Sequence, residues 1–294
     1  MKIWHFNPRG FTIIPVGQKP VNAAAFNRDG TRIVTAGQDG QAAIWSATAT
    51  SRDPLLLTRG HDPVHDAAFS RDGTKVAIAR FNGSTIVFNA KSGERIKPVF
   101  RVPHQKVNSL AFSREGNEVV TANQDGKARI WRVGEPTPAG GPTRFQHWTA
   151  SGAALQDAAF SPDGKEVVTA GADRTVRIWN LADTRKPIAT LSGHSGPVYT
   201  AAFDNGGDQV LSASADGTAR IWSVATRTER SAVGSPGVPI NDASFSRDGK
   251  RIVTANENGT ATIWSTELAG PLDRIKAIAQ RRLAQIDRRS QAGT

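Results

Sequence analysis

The chain has 294 residues, 38% of them hydrophobic, a formal net charge of +11 and no cysteine. No apolar run approaches the length of about eighteen residues that a membrane-spanning helix needs, and the opening "MKIWHFNPRG" lacks the apolar stretch of a secretory leader, so the sequence reads as soluble and cytoplasmic. Without cysteine there is no disulfide framework, no thiolate nucleophile and no Cys-based metal site.

Met1 to Trp4, "MKIW", ends in Ile-Trp, as do five later segments closing at Trp45, Trp131, Trp179, Trp222 and Trp264. With Phe88 in one further place, these positions fall 41, 43, 43, 48, 43 and 42 residues apart. Residues 1–9 therefore read as a surplus strand, the remnant of an upstream repeat. The next segment, "FTIIPV" (Phe11 to Val16), sits where a fourth strand belongs. It is expected to pair with Ile240 to Trp264 and close a ring, with a seventh, two-stranded partial blade as the alternative.

From Val21 onward one pattern recurs. A short apolar segment ("VNAAAF", "VHDAAF", "VNSLAF", "LQDAAF", "VYTAAF", "INDASF") precedes a turn, mostly Asp-Gly, as in "NRDGTR" and "SRDGKR". Asp-Gly between apolar runs signals a hairpin, because glycine reaches positive φ without steric cost and Asp tolerates it. A second strand such as "EVVTAG" follows, then a second tight turn ("QDG", "FNG", "QDG", "ADR", "ADG", "ENG") and a third strand ending at the aromatic residue. A less regular fourth segment ("PLLLT", "IKPVF", "TRFQH", "PIATL", "RSAVG") ends each unit. Four short antiparallel strands about every 43 residues are the signature of a propeller blade.

"FSPDGKEVVTAGADRTVRIWN" (Phe160 to Asn180) and "GHSGPVYTAAF" (Gly193 to Phe203) resemble the WD-repeat family. The resemblance implies an all-β propeller of six four-stranded blades over residues 10–268. It also implies a buried hydrogen-bonded set in each blade: a His before the first strand, a Ser or Thr on the second, an Asp in the second turn and the closing Trp. The full set occurs once, as His194, Ser212 or Ser214, Asp216 and Trp222. Partial sets are Asp39 with Trp45, Asp125 with Trp131 and His104, and Asp173 with Trp179. The unit around Phe88, with Asn82 in place of the Asp, is expected to be the least firmly pinned.

No GxxxxGK[ST], G-x-S-x-G or HExxH motif is present, and the six histidines are scattered. The repeated carboxylates fit turn and structural roles, so no catalytic residue, metal or cofactor is assigned. What the family likeness implies instead is an interaction scaffold, similar to the sensor regions of bacterial multidomain signalling proteins and standing alone as a monomeric ring or as the C-terminal part of a larger chain. The expected partner is another protein, met by Gln38, Arg80, Phe81, Gln124, Arg174 and Glu257 in the second-turn loops, with Tyr199 and with Trp148 in the one lengthened repeat. The alternative is a nucleic acid or other anionic surface. It would use Arg28, Arg71, Arg114 and Arg247 on one rim, or a band formed by Arg129, Arg177 and Arg220.

Residues 269–294 end the chain. Leu272, Ile275, Ala279, Leu283 and Ile286 recur at helical steps of three and four, and the stretch from Pro271 carries +4 of the net charge. A basic amphipathic helix is expected there, with no membrane span.

Overall fold

The computed structural model describes residues 2–6, 9–13, 16, 19–47, 53–134, 145–234 and 236–266. The expected C-terminal helix lies outside these residues.

Alternation and turns build six antiparallel sheets in chain order, spanning 21–58, 64–101, 107–149, 155–192, 198–234 and 240–265, here blades 1 to 6. Blades 1 to 5 have four strands each, hydrogen-bonded in sequence order, and blade 6 has three among the described residues. The first strands (Val21–Phe26, Val64–Phe69, Val107–Phe112, Leu155–Phe160, Val198–Phe203 and Ile240–Phe245) adjoin one another in succession and surround a channel. The register of each first and second strand slips once near its start, as between Val64 and Asp66 against Arg80 and Ala79. Such a bulge bends the strand and turns a side chain out of the ladder.

The core lies between blades. In blades 1 to 5 one set of small apolar residues on the second and third strands meets the aromatic face of the next blade. Ala77, Ala79 and Val87 of blade 2 thus pack with Val107, Leu110, Val119 and Trp131 of blade 3. Blade 2, which lacks the Trp–hydroxyl bond of the other blades, is packed by apolar contact instead, with Phe88 and Ile78 both fully buried. In the five tryptophan blades the indole N–H donates to a Ser or Thr hydroxyl: Trp45 to Thr35, Trp131 to Thr121, Trp179 to Thr169, Trp222 to Ser212 and Trp264 to Thr254, at 2.8–3.1 Å. Blade 2 has replaced both partners with apolar groups. Removing a donor and its acceptor together leaves no orphan and is close to neutral, whereas removing one is costly.

Ring closure differs from the sequence expectation. Phe11 to Ile13 pair not with blade 6 but with the N-terminal strand, in a hairpin of Lys2–Phe6 with Arg9–Ile13 in which Trp4 lies opposite Phe11. A local antiparallel partner across a short turn closes a far shorter loop than pairing with a strand more than 200 residues away, and the entropy cost grows with loop length. The two strands form a two-stranded sheet of their own. The first strands of blades 6 and 1 do not pack side by side, and a seam separates them.

Candidate functional site

The fold offers three places for function: the buried polar sets, the channel, and its two mouths. In blade 5 the indole N–H of Trp222 donates to Ser212 Oγ at 2.8 Å, Ser212 lies 2.8 Å from His194 Nε2, and His194 Nδ1 lies 2.9 Å from Asp216. Burial pushes the His194 imidazole pKa down against the pull of Asp216, so the ring is neutral, accepting from Ser212 and donating to Asp216. Burial would raise the Asp216 pKa, but bonds from Thr218, His194 and the Ser195 N–H outweigh it and hold it at about 2. The four side chains form a saturated relay at the blade edge. Ser214 stands outside it, donating to the Gly196 carbonyl and accepting the Asp216 N–H at 3.1 Å each.

Other blades solve the same problem differently. His104 lies one position too late to reach Asp125; Arg129 reaches it instead, through bonds of 3.0 and 2.6 Å. In blade 4 Ser151 stands at the His position, 2.9 Å from Asp173, and Arg177 pairs with the same carboxylate at 2.7 Å. Arg220 pairs with Glu229 at 2.5 Å. The expected basic band is thereby corrected, because Arg129, Arg177 and Arg220 each carry a carboxylate partner. Asp39 accepts the Gln41 N–H at 3.0 Å and holds its turn.

The channel encloses about 600 Å³, lined by the second and third positions of the first strands, including His65, Asp66, Asp157, Tyr199 and Asp242. Burial pushes the Asp66 carboxyl up to about 6. Its two oxygens accept the N–H groups of Ala67 and of Leu110 in the next blade, both at 2.8 Å. These carboxylates were not singled out from sequence, although the six first-strand segments show them when aligned on their closing Phe. Among the described residues no group of three or more His, Asp or Glu could hold a metal ion, and no helix is long and apolar enough to cross a membrane.

One mouth carries the first hairpin turns. Arg28, Arg71, Arg114 and Arg247 are exposed there, and Asp29, Asp72, Asp163 and Asp248 beside them are taken up by their own turns, as in the Asp72 bonds with Ser70 at 2.5 Å and with Thr74. Partial desolvation and then the three neighbouring arginines lower the Arg71 pKa. The other mouth carries the second turns. Gln38, Gln124 and Glu257 are exposed, and Phe81 stands 54% exposed with Lys106 Nζ 5.2 Å from its ring centre. Arg80 is half-buried against Thr58, and its Nε has no partner. Arg174 holds φ +70° where five other blades use Gly40, Gly83, Gly126, Gly217 and Gly259 at +75 to +84°. Tyr199 is half-buried in the channel wall, one residue after Val198, which pairs with Ser214 at the start of the blade 5 second turn. Trp148 is corrected as a partner contact: it is buried in the core beside Trp179 and presents no surface.

Six radial sheets around a channel, pinned by closing tryptophans, define a β-propeller of the kind that generally serves as a protein-interaction scaffold. The chain belongs to the family described as "WD domain, G-beta repeat", whose model matches residues 12–46, 96–132, 143–180, 185–223 and 231–265, together more than half the chain. The unmatched stretch covers most of blade 2, where Phe88 and Ile78 replace the Trp–Thr pair. Among solved structures similar to it is the C-terminal WD40 domain of Sif2, with TM-score 0.70 and 23% identity over 90% of this chain and 74% of that one, a likeness of fold. No curated protein matches the chain significantly.

Proposed function

We propose that the chain is a non-catalytic protein-binding scaffold whose partner seats on the second-turn mouth, as the sensor module of a bacterial signalling or regulatory assembly in the cytoplasm. The observation that carries this reading is Phe81, a large aromatic side chain left 54% exposed at a channel mouth and flanked by Lys106 and Arg80. Aromatic and Arg side chains dominate binding hot spots. Gln38, Gln124, Arg174 and Glu257 supply a polar rim around it, and Tyr199 adds a contact for any segment that enters the channel. The signalling context rests on the likeness of the dense "SPDG"-type repeats to sensor regions of that kind.

A second reading is favoured by the four arginines of the opposite mouth, which have no ion-pair partner among the described residues. They would hold an acidic or phosphorylated partner. The test is capture of proteins from the source cells on the immobilised chain, its Phe81→Ala variant and a variant with Arg28, Arg71 and Arg247 changed to Ala, at low and high salt. The first reading expects a partner lost on Phe81→Ala and weakly dependent on salt. The second expects loss in the arginine variant and a steep salt dependence. A captured set unchanged by either variant overturns both.

A further inference from the structure

Each first hairpin turn brings one residue, two positions after the Phe that ends the first strand, to the same mouth of the channel: Arg28, Arg71, Arg114, Pro162, Asn205 and Arg247. Two adjoining recesses open there, of about 940 Å³ and about 340 Å³, and Arg71 and Asn205 line both. Arg28 and Arg247 line the larger recess and Arg114 the smaller. Four guanidinium groups thus converge on one concavity. Arg71 stands where it feels the other three: partial desolvation, and then the charges of Arg114, Arg28 and Arg247, lower its pKa, while Glu115 acts weakly in the opposite sense.

No ion pair neutralises this cluster among the described residues. The neighbouring carboxylates are bound to their own turns: Asp29 to Thr31, Asp72 to Ser70 and Thr74, and Asp248 to Ser246 and the Lys250 N–H. Asp204, on the wall of the smaller recess, accepts the N–H groups of Asp208 and Gln209. Arg114 donates to the Pro162 carbonyl at 3.1 Å, which orients its guanidinium and leaves its charge unmatched. Asn205 donates to the Arg247 carbonyl at 2.8 Å and so steadies the turn that presents Arg247. Outside the described residues the sequence has four acidic side chains, Glu135, Glu267, Asp273 and Asp287, against eight Lys and Arg, a surplus of the same sign as the cluster. Like charges gathered in a recess repel, and an anion that meets several of them at once relieves that repulsion.

We propose that this mouth binds a soluble oligophosphate, a small anion with three or more phosphates in one molecule. The proposal rests on the second reading above and commits it to one chemistry. Guanidinium forks match phosphate oxygens two at a time. Arginines set around an axis suit an anion whose charges radiate from a short core, whereas an acidic peptide offers its carboxylates along a line. The larger recess has the size that encloses a small molecule. A membrane would meet the tips of the turns and not the recess between them.

The probe is inorganic tripolyphosphate, titrated calorimetrically into the full chain at low and at higher salt. One site is expected, bound about tenfold more tightly than orthophosphate or an octaglutamate peptide and weakened by salt. Arg71→Ala removes the guanidinium common to both recesses and should weaken binding about tenfold. Arg71→Lys keeps the charge but loses the fork, and should weaken it less. Arg230→Ala, an equal loss of charge at an exposed position on the fourth strand of blade 5, should leave binding unchanged. Arg71 and Arg230 are both exposed, so urea unfolding without the probe is expected to match the parent. Octaglutamate binding as tightly as tripolyphosphate overturns the proposal and leaves the second reading standing with a carboxylate partner, whereas binding of neither anion overturns both. Equal weakening by Arg71→Ala and Arg230→Ala overturns it by showing attraction to net charge alone. Tighter binding, at equal phosphate, to vesicles carrying phosphatidic acid would also overturn it, by assigning the mouth to a membrane.

Discussion

Ser212 serves two buried neighbours at once. It accepts the Trp222 indole N–H and faces His194 Nε2, each at 2.8 Å, and is itself fully buried. Thr169 holds the equivalent place in blade 4 and serves the indole of Trp179 at 3.0 Å, with no histidine above it. Ser212→Ala leaves two buried polar groups without partners, while the near-isosteric Thr169→Val leaves one. Each orphan costs roughly 1–3 kcal/mol. Ser212→Ala should therefore destabilise by about 3–4 kcal/mol and Thr169→Val by about 1–2 kcal/mol, a gap of about 2 kcal/mol. Urea unfolding followed by tryptophan fluorescence measures both, with unchanged slopes showing that the unfolding reaction is the same. Equal losses for the two variants would refute the relay, and the same holds if His194→Ala in the Ser212→Ala background cost as much as it does in the parent.

Three further outcomes are expected. Arg174→Gly should stabilise the chain by about 1 kcal/mol, because a non-glycine residue at φ +70° carries a penalty of about that size; unfolding midpoints read it, and a loss of stability would show that the Arg174 side chain holds the turn. The reverse change at the matching turn, Gly40→Ala, should cost more than about 3 kcal/mol, since its Cβ would run into the Gly60 and Asp62 carbonyl oxygens as well as sit at φ +82°. Asp66, pushed up to about 6, holds its proton more tightly folded than unfolded, so its contribution to stability is full below about pH 4 and is lost as pH rises through about 6. Relative to Asp66→Asn, the parent should lose about 2 kcal/mol between pH 4 and pH 7. Asp216, held at about 2, works in the opposite sense and loses its contribution as pH falls from about 4 to about 2. A parent-minus-variant difference that stays flat across pH 4–7 would refute the burial of Asp66.

The repeat was legible because its signals are local. Asp-Gly turns, alternating apolar residues and a closing aromatic every 43 or so positions need no knowledge of distant contacts, and they located every strand of blades 1 to 6. What stayed hidden depended on reach across space. One position separates His194, which meets its Asp, from His104, which does not, and only geometry shows that Arg129 takes the vacant place. The lengthened loop around Trp148 reads like an exposed insertion, yet its strand Phe145–Thr149 completes blade 3 and folds the indole into the core against Trp179. Phe11 to Ile13 have the composition of a fourth strand in either setting; pairing partner, unlike strand character, is not written in a strand's own residues. The channel carboxylates escaped notice because a polar residue at an inner strand position looks the same whether it faces water or clasps a neighbouring amide.

The Phe88–Ile78 pair of blade 2 bears on how such a ring changes over generations. A single replacement in a Trp–Thr blade strands a buried indole N–H or hydroxyl and costs about 1–3 kcal/mol, while the double replacement restores a satisfied interior. Any path from one state to the other crosses a less stable intermediate, which a ring survives only if its remaining blades hold stability in reserve. Once across, the blade keeps its shape and sheds the residues by which its kind is recognised, as the 49 residues between the first two matched repeats do here. Blade number and motif number then diverge, and the ring is larger than its recognisable repeats.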